Sequence, residues 1–378
     1  MELRTPAYYK DFTCIAGRCI DNCCFGGWQI DIDDETIAKY SKVTGAFGDK
    51  LHSYVDADNG CFKLKNGQCP FLMSDNLCEI YKELGPENMG VVCTQFPRFT
   101  EYYGNIMETG IGLACEEAAR IILQTDCDFS LVSSYISEEP VWGEYDKKLG
   151  SPLFNLRDRL MSVIDDKTYP MSPQEILIVI LTVFNTLQAM INENDYDSIA
   201  RYCDTFNKDA TKEILFLSRL SETDKNKLKE LRKTIWYSYL DLEPLNDYWK
   251  DLSNHAYEYL YESDEYYPDT FNDSFLSSKY TRIIRYYLFR YMLKAAFDHD
   301  LLGKAQLITA NIMIINDLTA YQKCMVKDRT DDDIFMDVIH IFSRQIEYSE
   351  DNILELYDSF IFDEVFNYKS LTKILAGI

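Results

Sequence analysis

Clustered cysteines constrain this chain more than any other feature of its sequence. Nine of the twelve lie in the first third, at positions Cys14, Cys19, Cys23, Cys24, Cys61, Cys69, Cys78, Cys93 and Cys115. Three chemical roles compete, namely disulfide bonds, buried apolar cysteines and metal-bound thiolates. Disulfides require an oxidising compartment, and the N-terminal segment MELRTPAYYKDF has no apolar region typical of a signal peptide. Isolated core cysteines would not recur at short spacing, so metal binding is the favoured role and a structural or disulfide role the alternative.

The spacing of the cysteines does not by itself identify the metal. The sequence contains no CxxC pair of the kind common in zinc sites, and only His52 lies within the cysteine-rich stretch. The available ligands are therefore nearly all sulfur, which suits zinc and iron–sulfur clusters alike. Cys23 and Cys24 are adjacent, and adjacent thiols rarely bind one ion together for steric reasons. We expect one of them to be a ligand while the other packs or serves a second metal.

Several motifs in this stretch carry a resemblance to a known family. In order they are CxxxxCxxxCC, CPFL, LCEIYKELG, CTQFPR and LACEEAAR. This series resembles flagellin lysine-N-methylase, and part of it also resembles a wider family of zinc- or iron-chelating cysteine-cluster proteins. Two blocks in the C-terminal half, YTRIIRYYLFRYMLKAAFDHDLLGKAQ and IFSRQIEYSEDNILELYDSF, extend the resemblance to the methylase nearly from end to end.

The resemblance implies an activity and a set of cofactors. It implies methyl transfer from S-adenosyl-L-methionine to lysine side chains of flagellin, with a [4Fe-4S] cluster. Zinc, which the spacing allows equally, is the alternative metal. Because no signal peptide or spanning segment is evident in the sequence, we expect the reaction in the cytoplasm. The predicted metal ligands are Cys14, Cys19, Cys23, Cys24, Cys69, Cys78, Cys93 and Cys115. Cys61 lies outside the motif and is left unassigned. The alternative function is that of a non-enzymatic zinc- or iron–sulfur-binding carrier or scaffold, which should not bind S-adenosyl-L-methionine.

Composition and charge limit the fold and the partners. With 378 residues, 47% of them hydrophobic, the chain is long enough for two domains, predicted at residues 1–127 (cysteine-rich) and 128–378 (helical). The net charge of −24 argues against binding to nucleic acid or to an anionic membrane surface. An acidic surface suits a lysine-bearing substrate, although a solubilising role accounts for the charge equally well.

The local patterns predict a mostly α fold with a small, irregular α+β cysteine-rich N-terminal domain. In that domain they predict a short strand in GWQIDID, a helix capped by Asp33 or Asp34, a hairpin in CFKLKNGQC and helices at Cys78–Leu84 and Glu87–Phe96. Further helices are predicted near residues 116–124, 173–191, 221–240, 281–302, 304–326, 331–349 and 350–362, with an irregular segment at 255–273. The apolar run after Pro173 is short for a membrane span, so it predicts a core helix. No GxGxxG fingerprint follows a strand, so no Rossmann-type nucleotide site is expected and the cofactor site is not located.

One predicted helix carries candidate cofactor ligands. Arg285 and Arg290 alternate with tyrosine and phenylalanine in the segment RIIRYYLFRY. Periodicity alone predicts a buried helix with arginines at its solvent edge. Because arginine binds carboxylates in bidentate geometry, the alternative is that Arg285 or Arg290 binds the methionyl carboxylate of S-adenosyl-L-methionine. No catalytic residue is identified, since GxSxG, HExxH and Walker motifs are absent.

Overall fold

The structure is a computed structural model that describes residues 1–141, 143, 145–218, 225–263 and 270–377. The strands lie in the first part of the chain and are β1 (Glu2–Pro6), β2 (Val55–Asp56), β3 (Cys61–Phe62), β4 (Arg98–Tyr103), β5 (Ile106–Ile111) and β6 (Leu131–Tyr135). The N-terminal helices are α1 (Asp34–Tyr40), α2 (Gly45–Tyr54), α3 (Glu79–Leu84), α4 (Val91–Gln95) and α5 (Glu116–Ile122). The remaining helices are α6 (Lys147–Ile164), α7 (Pro173–Asn192), α8 (Tyr196–Thr205), α9 (Lys208–Ser218), α10 (Lys225–Leu240), α11 (Asp247–Tyr257), α12 (Ser274–Tyr291), α13 (Ala295–Asp298), α14 (Leu301–Met325), α15 (Asp331–Glu347), α16 (Glu350–Phe362) and α17 (Tyr368–Ala376). The fold is mostly α with a small α+β cysteine-rich N-terminal part, as the sequence predicted.

A four-stranded sheet joins distant parts of the N-terminal region. Its strand order is β4-β5-β1-β6, with β1 parallel to β5 and antiparallel to β6. Strands β4 and β5 form a hairpin that turns at Gly104, where φ is +67° and an L side chain is disfavoured. The sequence analysis predicted none of these four strands, and β1 pairs only with segments far away along the chain, with β5 and β6.

A small core underlies the cysteine-rich part. Its buried members are Ile30, Ile32, Tyr40, Leu51, Phe62, Cys69, Phe71 and Ile80. The predicted alternation in GWQIDID is correct for Ile30 and Ile32, although this segment pairs only at one isolated bridge, Asp31 with Cys61. The predicted turn at Asn66-Gly67 is present, and Lys65 pairs with Gln68 across it at an isolated antiparallel bridge. The hairpin extends no further than that pair, because β3 pairs with β2 instead of with the residues after the turn.

Predicted helices that have strong capping signals agree well with the structure. Asp33 caps α1, and Ser172 forms a capping box with Glu175 at the start of α7. Helices α14, α15 and α16 follow their predicted ranges closely.

Other helices differ from the predictions. α4 is shorter than predicted, since Pro86–Asn88 forms a separate 3₁₀ turn, and α12 begins earlier because Asp273 caps it. Helices α2, α6, α8, α9, α11 and α17 were not predicted. In the segment 255–273, predicted to be irregular, α11 continues into a π-helical turn at Glu258–Glu262. Residues 221–224 of one predicted helix, and residues 264–269 of that segment, lie outside the described residues.

The larger core is built around α7 and α14. α7 packs on α14 and α17, and nearly all of α14 from Leu301 to Ala320 is buried. By length and composition α7 is the one helix in the described chain that resembles a membrane span, yet 61% of its most apolar window is buried inside the protein. Tyr8, Tyr103 and Ile122 from the N-terminal third also belong to this larger core. The division at residue 127 stays a prediction.

Candidate metal centre and its surroundings

Glu116, at the start of α5, fixes the loop that carries Cys19. A single carboxylate oxygen, Oε2, accepts hydrogen bonds from Cys19 Sγ at 3.1 Å, from the Ile20 amide at 3.0 Å and from the Asp21 amide at 3.2 Å. Because Glu116 directly follows Cys115, these bonds bring two predicted ligands together that are distant in sequence.

Arg344 of α15 holds the same loop from the other side. Its Nη1 donates to Asp21 Oδ1 at 2.8 Å, its Nη2 donates to the Asp21 carbonyl at 2.7 Å, and its Nε donates to the Ala114 carbonyl at 3.2 Å. His340 Nε2 lies 2.6 Å from Asp21 Oδ2, and the guanidinium lies 5.1 Å from the Trp28 ring centroid. One buried arginine therefore ties the segment before Cys115 to the cysteine loop.

A second set of thiols lies at the small core. The Cys69 amide donates to the Cys24 carbonyl at 3.0 Å. Cys69 is a buried member of that core, and Cys24 and Cys78 pack against it. Burial raises the pKa of Tyr40, a member of the same core, and the negative charges of Cys93 and Cys78 raise it further. Both of those sulfurs therefore lie near Tyr40.

The thiols influence one another's protonation. A hydrogen bond from Cys24 lowers the pKa of Cys23 to about 7 against the effect of burial, and a second such bond lowers the pKa of Cys69. Burial raises the pKa of Cys115 to about 11 although nearby amides oppose it, and the Cys23 thiolate adds to the rise. Several thiolates at this spacing repel each other unless a cation compensates their charge.

The donor chemistry fits a soft metal, whereas a finished coordination geometry is absent. In the part of the chain that the structure describes, no group of three or more His, Cys, Asp or Glu is already arranged to hold a metal ion. All eight predicted ligands are nevertheless free cysteines. Sulfur-only ligands suit zinc or an iron–sulfur cluster, and metal binding commonly completes the folding of such sites.

The remaining cysteines, and His52 within the cysteine-rich stretch, occupy different environments. Cys203 is fully buried in the helical core, and Cys127 packs against that core. Cys61 lies in β3 and stays unassigned. His52 Nε2 lies 3.3 Å from the Tyr40 carbonyl, which satisfies that nitrogen without a metal.

Arg290 belongs to a buried cluster of polar and aromatic side chains. Its Nη1 lies 2.9 Å from Glu347 Oε2 and donates to the Tyr286 hydroxyl at 2.6 Å. Tyr286 in turn donates to Glu347 at 2.6 Å. A Cβ at Gly112 would lie 2.3 Å from the Tyr348 hydroxyl and 3.0 Å from Arg290 Nη1, so this close approach requires glycine. A carboxylate from a cofactor would have to replace Glu347 to bind Arg290, and the prediction that Arg290 binds the cofactor stays a prediction.

Arg285 lines a cavity of about 460 Å³ between the sheet, α6 and α12. Its Nη2 lies 2.5 Å from Asp165 Oδ2, and its guanidinium carbon lies 4.5 Å from the Phe129 ring centroid. Its Nε is buried and has no hydrogen-bond partner among the described atoms. Burial lowers the pKa of Arg285, and Asp165 opposes that effect. The remaining charged lining residues are Arg4, Arg157, Asp128 and Asp158.

Sequence reasoning missed the two side chains that hold the cysteine loop. It placed Glu116 at the start of a predicted helix near residues 116–124, and it assigned Arg344 no role. Both lie inside motifs that carried the resemblance, LACEEAAR and IFSRQIEYSE, and this was the available signal. The contact between Arg344 and Asp21 joins residues 323 positions apart, which no local pattern indicates.

Three curated relatives are similar to parts of this chain. Flagellar biosynthetic protein FliU of Salmonella muenchen is 33% identical over 131 residues, which cover 31% of this chain and 75% of that protein. The Lysine-N-methylase of Salmonella choleraesuis is 30% identical over 168 residues, and that of Salmonella typhimurium is 28% identical over 171 residues. Each of these two matches covers 42% of this chain and 40% of the methylase. No solved structure matches the chain.

The family assignment rests on the helical part of the chain. The family model named FliB lysine N-methylase C-terminal domain matches residues 157–374, which is more than half of the sequence. This range includes Arg344 of α15, which holds the cysteine loop. It also includes Arg290 of α12 and Glu347 of α15, which belong to the buried cluster. The chain therefore belongs to the family of the FliB lysine N-methylase C-terminal domain.

Proposed function

We propose that this protein is a lysine N-methyltransferase that transfers methyl groups from S-adenosyl-L-methionine to lysine side chains of flagellin. The observation that carries the proposal is the match of the helical part to the lysine N-methylase family, on the same helices that hold the cysteine loop. The names of the relatives, two lysine-N-methylases and one flagellar biosynthetic protein, support the reaction and the flagellar context. Because the matched methylases are covered over only 40% of their length, the activity is part of the proposal.

The proposed metal cofactor is a [4Fe-4S] cluster, with zinc as the alternative. The residues that would hold it are drawn from Cys14, Cys19, Cys23, Cys24, Cys69, Cys78, Cys93 and Cys115. When bound, an iron–sulfur cluster supplies a centre that accepts and donates single electrons. The protein contributes the placement of the thiols, and Glu116 and Arg344 contribute the hydrogen bonds that set the course of the cysteine loop.

The cavity beside Arg285 is the proposed site for the amino-acid end of S-adenosyl-L-methionine. Its volume of about 460 Å³ lies within the usual range for small-ligand sites. The free Nε–H of Arg285 suits a carboxylate, and Asp128 suits the ammonium group of the same ligand. Hydrogen bonds from Ser130 lower the pKa of Asp128, which keeps this carboxylate negative.

Lysine recognition follows from charge. An acidic protein attracts the cationic side chain, but ordinary methyl transfer requires the neutral amine as nucleophile. Carboxylates alone would keep the amine charged, so the site must also desolvate it or accept its proton. The net charge of −24 supports flagellin, rather than nucleic acid or a membrane surface, as the partner, and we place the reaction in the cytoplasm.

The experiment combines anaerobically reconstituted protein, S-adenosyl-L-methionine, an electron donor and flagellin, and reads lysine masses by mass spectrometry. We expect a gain of one methyl mass that is lost in the Cys93→Ser protein and retained in Cys324→Ser, a matched change outside the predicted ligands. If flagellin stays unmodified while the cluster is intact and the electron donor is present, the methylase proposal is wrong. The non-enzymatic carrier then takes its place, provided that the protein also fails to bind S-adenosyl-L-methionine.

A further inference from the structure

We propose that the outer edge of β6 binds an extended, lysine-bearing segment of the substrate as an added β-strand. The site runs along Leu131–Tyr135 and takes a polypeptide segment of similar length. The inference rests on the proposed function, because it takes the bound segment to belong to flagellin.

β6 is the last strand of the sheet, and part of its backbone points away from β1. Met1 and Ile136 exchange two hydrogen bonds, of 2.9 and 3.0 Å. At the other end of the pairing, the Ala7 amide donates to the Ser130 carbonyl at 2.8 Å. Because antiparallel pairs alternate between bonded and non-bonded, the outward amides and carbonyls of β6 are those of Leu131, Ser133 and Tyr135. No backbone group of the described residues pairs with them.

β6 lacks the features that usually protect an edge strand. Its sequence, LVSSY, contains no charged residue, proline or glycine, and Val132 and Tyr135 are 51% and 86% exposed. β4, at the opposite edge of the sheet, contains Arg98 and Glu101, and such charges discourage pairing with a further strand. Of the two edges, β6 is therefore the one suited to accept a strand.

The cavity beside Arg285 lies on one face of this edge. Ser133 is opposite Arg4, and Leu131 is opposite Pro6, so these four side chains share a face of the sheet. All four line the cavity. A strand added beside β6 would place every second side chain on that same face, next to Ser133 and Leu131. The edge can therefore present a lysine to the site proposed for the cofactor.

The cavity retains a carboxylate for that lysine. Each of its three arginines has a carboxylate partner, namely Arg4 with Glu2, Arg157 with Glu108 and Arg285 with Asp165. Asp128 and Asp158 also line the cavity, and neither forms an ion pair among the described residues. Because Asp128 is the proposed partner of the cofactor's ammonium group, Asp158 is the one available to the substrate lysine.

Further carboxylates flank β6 at both ends. Asp126 and Asp128 precede the strand, Glu138 and Glu139 follow it, and all four residues are exposed. They attract a segment that carries lysine and repel an acidic one. Since this chain has a net charge of −24, the charges favour a lysine-bearing partner over a second copy of the chain at this edge.

The first test replaces Ser133 by proline in the full-length protein and measures flagellin methylation. Proline removes one outward amide and leaves the bonds to β1 in place, because the Ser133 amide does not donate to β1. We expect the KM for flagellin to rise about 10-fold, as for one lost hydrogen bond, with a smaller effect on kcat. A wild-type KM overturns the proposal.

The opposite edge of the sheet supplies the matched control, Thr100→Pro. The Gly112 amide donates to the Pro97 carbonyl at 2.8 Å, so the alternation of pairs turns the amide of exposed Thr100 away from β5. This variant also loses one outward amide and should keep the wild-type KM. An equal rise in both variants contradicts the assignment to β6. A dimer that Ser133→Pro converts to monomer, detected by sedimentation, would assign the edge to a second copy and overturn the proposal.

The second test uses the wild-type protein and does not depend on the folding of a variant. Overlapping synthetic peptides, each centred on one flagellin lysine, are tested for binding by fluorescence anisotropy, and the tightest binder is N-methylated at one backbone amide at a time. Methylation of every second amide should weaken binding about 10-fold, and methylation of the amides between them should have little effect, because only alternate amides of an added strand face β6. An effect without this alternation, or no peptide binding, overturns the proposal.

The two tests separate this inference from the proposed function. Alternating effects on peptide binding without any methyl transfer would refute the methylase and retain the strand site. Methyl transfer by Ser133→Pro with a wild-type KM would refute the strand site and retain the methylase.

Discussion

Replacing Arg344 by methionine tests how the helical part supports the loop that carries Cys19. The change removes three hydrogen bonds, two to Asp21 and one to the Ala114 carbonyl, while keeping a long apolar side chain over Trp28. The Arg344 side chain is only 6% exposed, whereas that of Asp21 is 42% exposed. Breaking a fully buried ion pair costs about 3–5 kcal/mol, but water can partly solvate Asp21 here.

We therefore expect a loss of about 2–3 kcal/mol in the free energy of unfolding. The entropy of unfolding is about 2.1 cal/mol/K per residue, so for this chain the melting temperature should fall by about 3–4 °C. Because side chains that orient metal ligands typically change metal affinity by about 10–100-fold, the proposed metal should bind more weakly by that factor.

The assay has two parts, thermal unfolding followed by circular dichroism and the metal retained after dialysis against a chelator. Arg329→Met is the matched control, since Arg329 pairs with Asp337 at the surface and both side chains are about half exposed. We expect the control to behave as wild type, and the Arg344→Met protein to retain no more metal than Cys115→Ser. Wild-type metal retention and melting in Arg344→Met would refute the reasoning.

Further predictions concern stability and cofactor binding. Glu108→Gln should lower the free energy of unfolding in urea by about 3–5 kcal/mol, because it leaves the guanidinium of Arg157, only 1% exposed, without its charged partner; a loss below 1 kcal/mol would contradict this. Cys203→Ser should destabilise by about 1–3 kcal/mol by burying a hydroxyl in the helical core, yet metal analysis should find no change. Ser172→Ala should cost about 1 kcal/mol by removing the cap of α7, measured by thermal melting. Arg285→Met should raise the KM for S-adenosyl-L-methionine about 10-fold without changing metal content, taking ~1.5 kcal/mol for a hydrogen bond to a charged group; an unchanged KM would remove this residue from the site.

The parts of the fold that local information specifies were predictable. Asp33 and Ser172 cap helices through bonds to residues three positions away, so the caps of α1 and α7 could be identified from sequence. The strands could not, because β1 lies between β5 and β6 through pairings that cross the whole N-terminal third. The run from Gly104 to Gly112 likewise lacks the regular alternation of apolar and polar residues that distinguishes a strand from a loop.

The candidate site also has features that could be predicted from the sequence and features that could not. The clustering of the thiols was evident from the sequence, since the cysteines recur at short spacing and lack histidine partners, and metal binding by them stays a prediction. Which thiols are neighbours was not evident, because Cys19 and Cys115 meet only through Glu116. Arg290 and Arg285 appeared equivalent on one helix, yet the structure engages Arg290 with Glu347 and leaves Arg285 Nε in a cavity wall.

The sequence by itself thus determined the clustering of the cysteines, the acidic charge and the helices that carry their own caps. These properties depend on residue types and on contacts within a few positions. Only the tertiary structure decided the sheet, the contact of Cys19 with Glu116 and the contact of Arg344 with Asp21, which spans 323 positions. The physical reason is that such contacts form where two cores bury their apolar faces, and the geometry of that burial is a property of the whole chain.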